Sequence, residues 1–175
     1  NKLLTYELEA ASSRLAVSGT GRIALDDEHG DAELMFRVSD TSLDPYVRVF
    51  KPDLSPYTTA VASGTIRVVG ELYNPDALHV TTTVEQLDLR LVDYHLRNQG
   101  PIMLAVDGPT LRVDTLRLVG EDTALDVTGS IELPRQALSL QAFGAANLAV
   151  IQGYLPDVRS SGRADVSALI GGTAA

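Results

Sequence analysis

Alternation with a period of two runs through most of this 175-residue chain, and the strand is the regular structure whose side chains point to opposite faces in turn. Ala32, Leu34, Phe36 and Val38 alternate with charged or polar neighbours, as do Ile66 and Val68, then Val80, Thr82 and Val84, then Ile102, Leu104 and Val106. The strictest run sets Leu125, Val127, Gly129, Ile131 and Leu133 against Asp126, Thr128, Ser130 and Glu132. Strands of this kind have one apolar and one wet face. Two runs change phase midway. Val84 gives way to Leu87, Leu89 and Leu91, and Leu111 and Val113 give way to Leu116 and Leu118. One extra residue near Gln86 and another near Thr115 would keep each apolar set on a single side, so both positions are predicted β-bulges.

Turn-forming residues punctuate the strands at Asp26–Gly30, Asn74–Asp76, Asn98–Pro101, Asp107–Pro109 and Gly120–Asp122. They predict hairpins and a mostly antiparallel sheet. Two segments read as short helices. In Ser42–Phe50, Ser42 can cap, Pro45 suits the first turn, and Leu43, Tyr46, Val47 and Phe50 share a face. In Asn147–Tyr154, Asn147 can cap and Leu148 and Ile151 share a face that continues to Leu155, before Pro156. The order strand, strand, helix, strand therefore occurs twice. It runs once from Val17-Ser18-Gly19-Thr20 to Ser63-Gly64-Thr65, and again from Val127-Thr128-Gly129-Ser130 to Ser161-Gly162-Arg163. The expected organisation is a degenerate repeat, with a first unit over residues 14–72, connecting strands over 73–122 and a second unit over 123–173. The chain begins at Asn1 without Met and stops just after an alternating stretch, as expected of one segment of a longer repeat protein.

Chemistry is sparse. There is no cysteine, which removes thiolate metal sites, thiol catalysis and disulfides. A net charge of −9 argues against phosphate backbones as partners. The longest apolar runs, such as Ile102–Val106 and Leu148–Ile151, fall far short of the roughly eighteen residues a membrane span needs. His29, His79 and His95 lie too far apart in sequence for a paired-histidine metal motif. Gly19-Thr20-Gly21 with Ala24 resembles a dinucleotide fingerprint, but the residues after the glycines alternate as a strand where the motif requires a helix. The acidic turn Asp26–Asp31 lacks the spacing of an EF-hand loop, and Asp93-Tyr94-His95 and the Glu85/Asp88 carboxylates lack nucleophile or platform residues around them. With aromatic residues at 5% and no Trp, stacking on sugars or bases is disfavoured as well. No enzyme activity and no cofactor are expected.

What remains is a long aliphatic face. Two short helices are too small to cover it, so the sheet must shield it by its own curvature, either as a sealed sandwich or barrel or as an open slot. The Gly-Thr/Ser strand starts, Leu125–Leu133, the stretch Ala146–Gly153 followed by Arg159–Arg163, and the closing Ile170–Thr173 resemble the TamB and AsmA-like proteins of the Gram-negative envelope. The resemblance implies a curved, U-shaped apolar β-groove (a β-taco) in the periplasm, within a longer protein anchored in the inner membrane outside this segment. It implies that the groove moves phospholipids between inner and outer membranes, with neighbouring segments of the same chain extending it. An alternative role is outer-membrane protein assembly with a TamA-like barrel through strand pairing. The residues expected to meet acyl chains are Leu34, Phe36, Val38, Ile66, Val68, Val80, Val84, Leu87, Leu89, Leu91, Ile102, Leu104, Val106, Leu111, Val113, Leu116, Leu118, Leu125, Val127, Ile131, Leu133, Leu138 and Leu140.

Overall fold

A computed structural model describes residues 2–25, 29–45, 58–91, 94–148 and 161–173. They form one eleven-stranded sheet in which every described pairing is antiparallel. In chain order the strands are β1 (Leu3–Ala11), β2 (Ala16–Ala24), β3 (Asp31–Ser42), β4 (Thr58–Glu71), β5 (His79–Leu91), β6 (Tyr94–Asn98), β7 (Ile102–Asp107), β8 (Thr110–Gly120), β9 (Thr123–Glu132), β10 (Ala137–Asn147) and β11 (Arg163–Thr173). Each strand pairs with the one before it and the one after it, with one exception. β6 and β7 share a single position, both pairing β5 on one side and β8 on the other. They run in the same direction, so the expected hairpin at Asn98–Pro101 is instead an interruption of one strand. Gly100, at φ 79°, lets the chain step out of the sheet and re-enter it without reversing.

Both predicted bulges are present. Gly64 pairs with Val84 and Ser63 with Gln86, which leaves Glu85 as the extra residue on β5. Val113 pairs with Gly129 and Leu116 with Val127, so Asp114 and Thr115 on β8 oppose Thr128 alone. A third bulge lies on β3, where Ser39 and Asp40 oppose Ser63 and Asp40 takes φ 42°. These irregularities lie side by side. The row passes through Ser39–Asp40, Ser63–Gly64, Glu85–Gln86, the break between β6 and β7, Asp114–Thr115 and Thr128–Gly129. A bulge bends and twists its strand, so bends placed in one row act on the sheet together.

The sheet does not close. Among the described residues β1 pairs only with β2, and β11 only with β10, and all eleven strands belong to one hydrogen-bonded sheet. The described strands therefore do not close into a hydrogen-bonded barrel. The chain exposes 11496 Å², well above the roughly 8,300 Å² that surface scaling gives for a compact monomer of this mass.

The expected helices fall mostly outside the described residues. Ser42 and Asn147 end β3 and β10, and 46–50 and 149–154 are not described. The one complete helical element among the described residues is a 3-10 turn, Pro75–Ala77. The proposed repeat corresponds to β2, β3 and β4 followed later by β9, β10 and β11. Its glycine markers are not equivalent, because Gly64 sits inside β4 whereas Gly162 precedes β11. One detail does recur. Thr41 Oγ1 accepts from Ala16 N (3.2 Å) where β2 starts and β3 ends, and Thr123 Oγ1 accepts from Asn147 N (3.1 Å) where β9 starts and β10 ends.

The candidate apolar face

Residues directly opposite each other in an antiparallel pair point to the same side, so the register alone traces the face. Tyr6, Gly21, Leu34, Val68, Val80, Val106, Leu111, Ile131, Leu138 and Gly172 form one unbroken row from β1 to β11. Beside it run Leu8, Gly19, Phe36, Ile66, Thr82, Leu104, Val113, Gly129, Leu140 and Ile170. A third row holds Val17, Val38, Gly64, Val84 and Ile102. On the far side of the bulges the same face continues. The β4–β5 pairing brings Leu87 and Leu89 onto it opposite Ala62 and Ala60, with Leu91 opposite Thr58 in register. The β8–β9 pairing adds Leu116 beside Val127 and Leu118 beside Leu125. Unbulged β4 and β9 carry the phase across, which is how Leu87 and Leu89 share a side with Val84, and Leu116 with Val113.

Leu133 lies at the end of the face, where its N–H still donates to Pro109 O (2.8 Å). β9 ends at Glu132, Leu133 lies in the following turn with 47% of its surface exposed, and Pro134 after it has no N–H with which to extend the ladder. The face also takes in residues that the expectation leaves out. Leu4, Tyr6 and Leu8 on β1, Ile23 on β2, Leu96 on β6, and Val166 and Ile170 on β11 all lie on it. The signal for β1 is the alternation Leu4, Tyr6, Leu8 with Thr5, Glu7 and Glu9.

Burial on this face is partial and graded. Leu96 and Ile102, at the central strand position, are 4% exposed, whereas Leu4, Leu8 and Ile170 near the two edges are 44–47% exposed. Most aliphatic side chains between these extremes are half-buried, and no large described side chain is fully buried. The β1–β3 end is shaped by aromatics over glycines. A Cβ on Gly19 would lie 2.7 Å from Phe36, and one on Gly21 would lie 2.6 Å from Tyr6. The two rings stand 6.5 Å apart, and the Tyr6 hydroxyl is buried without a hydrogen-bond partner.

The opposite face carries the charge. Glu33 on β3 accepts from Arg22 on β2 and Arg67 on β4, each at 2.6 Å. Hydrogen bonds from Arg67 and then Arg22 hold its carboxyl below the usual carboxylate range. Arg117 pairs with Asp126 across β8 and β9 at 3.5 Å. His95 Nε2 lies 2.7 Å from Asp88 Oδ2, and His79 Nδ1 lies 3.0 Å from Asp107 Oδ1, all four side chains being exposed. Asp88 thus serves a cross-strand pair with His95, while Glu85 is the extra residue of the β5 bulge. Among the described residues no three side chains gather to hold a metal ion. A cleft of about 520 Å³ follows the row of bulges, lined by Asp40, Ser63, Glu85, Leu87, Asp88 and Asn98 among others. Compared with family models, curated proteins and solved structures, the chain matches none of them.

Proposed function

We propose that this chain is a non-catalytic segment of a periplasm-spanning lipid conduit, whose apolar sheet face carries phospholipid acyl chains between inner and outer membranes. The observation that carries this reading is the continuous aliphatic face, which runs from β1 to β11 on one described sheet and stays largely accessible, with no large described side chain fully buried. An apolar surface of that extent, so largely accessible among the described residues, marks a place where something apolar binds. Aliphatic residues with few aromatics suit flexible chains better than flat ring systems. The row of bulges supports a U-shaped groove. Bends in register crease the sheet along the direction in which strands stack, so the trough would run from β1 toward β11 with Leu96 and Ile102 at its floor. The charged face then lies outside in solvent, and headgroups stay at the rim. On this reading the full-length protein is anchored in the inner membrane beyond this segment, and neighbouring segments extend the trough.

The test is capture of lipid. Native mass spectrometry of the purified segment, with extraction and identification of bound molecules, is expected to find phospholipid. A photoreactive residue at Leu89 or Val127 is expected to cross-link it. Absence of both would overturn the reading. A second role, strand pairing with a TamA-like outer-membrane barrel, is favoured by the outer edges of β1 and β11, which pair with no other strand among the described residues. Proline scanning along β11 separates the two. It removes backbone donors needed for strand addition while leaving the aliphatic face intact.

A further inference from the structure

The row of bulges is held by side chains that stand in for missing backbone partners. At the β5 bulge, Asn98 Oδ1 accepts from Leu87 N (2.8 Å), while Asn98 Nδ2 donates to Glu85 O (3.0 Å) and to Gly100 O (2.7 Å). One side chain therefore ties the two sides of the β5 bulge to each other and to the break between β6 and β7. At the β3 bulge, Asp40 N donates to Ser63 Oγ (2.9 Å) and the Ser63 hydroxyl donates back to Asp40 Oδ1 (3.3 Å). An unbroken ladder resists bending along a line across its strands because every rung is shared by the strands on both sides. Along this row that resistance is weakest. The rungs are displaced on β3, β5 and β8, and the central strand is cut.

We propose that this row is a flexural hinge, and that Asn98 is the latch that sets its angle. With its three hydrogen bonds made, the two halves of the sheet are held at one inclination. With them broken, the halves swing about the row and the apolar trough widens. This deepens the conduit reading by giving the trough a place to open for a bulky chain. The hinge itself is a property of the empty protein and can be tested without lipid.

Thr81 and Arg90 lie on the polar face of β5, on opposite sides of Glu85, and both are exposed. The chain has no cysteine, so Thr81→Cys with Arg90→Cys places two spin labels uniquely. Pulsed electron spin resonance should give one narrow distance in the parent. Adding Asn98→Ala should broaden the distribution or shift its centre. Asn98→Asp, which keeps the acceptor for Leu87 N but loses both donors, should fall between the two. Amide hydrogen exchange provides the second measurement. Leu87 loses its acceptor in Asn98→Ala and is uninformative. The decisive amides are those near Thr41 on β3 and Leu116 on β8, which Asn98 does not touch. They should exchange at least tenfold faster while the amides of β1, β10 and β11 keep their parent rates. An unchanged distance distribution in both variants overturns the hinge. So does exchange that rises equally over all strands, because Asn98 would then support only global stability. A hinge that moves in a segment that never binds lipid would retain this inference and sink the conduit.

Discussion

Gly129 and Gly144 sit in adjacent strands, at φ 137° and 139°, in a region that side chains other than hydrogen rarely enter. A Cβ at Gly129 would press on the Ser139 carbonyl, and one at Gly144 on the Ala124 carbonyl. Gly129→Ala is therefore expected to lower stability by about 1–3 kcal/mol, combining backbone strain with displacement of a paired strand. Gly171→Ala is its control, since the nearest atom to a Cβ there is 3.7 Å away, and denaturant titration should show little change. Glu33 makes a different prediction. Its pKa is lowered by Arg67 and Arg22, so its favourable contribution is present above the ordinary carboxylate range and lost as pH falls through the depressed value. The side chain is exposed, so the effect on stability is small and salt-sensitive. A carboxyl titration followed by NMR should find Glu33 below the ordinary value of a glutamate. Added salt or Arg67→Ala should move it back up toward that value.

The bulges make their prediction at the scale of the strand. Deleting Glu85 would leave Val84, Gln86 and Leu87 in simple alternation, so Leu87 and Leu89 keep their side while the bend is lost. The shortened protein is expected to keep a strand-dominated circular-dichroism spectrum. Single cysteines replacing Val84 and Leu87 should both stay protected from aqueous labelling in the parent and in the deletion. If either becomes fully reactive only after the deletion, the pairing has slipped. The bulges on β5 and β8 are legible in sequence because aliphatic residues flank both sides of the phase break, Val84 with Leu87 and Val113 with Leu116. The β3 bulge has no such signature, because Val38 is followed across the break by Thr41 and Ser42. The interrupted strand also escapes sequence reading. Asn98–Pro101 has the composition of a reversing turn, and its direction is decided by β5 and β8 on either side of it.

For the molecule as a whole, the question is how the apolar face tolerates charge. Leu104 is half-buried in the second row of the face, opposite Thr82 and Val113. In a sealed core an arginine there would be buried unpaired, at several kcal/mol out of a typical 5–15. On an open face the guanidinium can reach water while its stem lies along the sheet. Leu104→Arg is thus expected to fold with a melting temperature lowered by about 2–8 °C and to lose lipid cross-linking at Leu89 and Val127. Outright unfolding would mean that the face is covered after all. The arrangement of strands has one more consequence. Because β6 and β7 occupy one place, the path from β1 to β11 counts an even number of positions, all antiparallel, and the two outermost strands point in opposite directions. A translated copy of the sheet could therefore abut β11 with its own β1 running antiparallel to it and its oily side still facing the same way. On the conduit reading such a unit would serve as a tile needing no mirror, no half-turn and no adaptor, and a wall of such tiles could be lengthened one piece at a time without changing which side is wet.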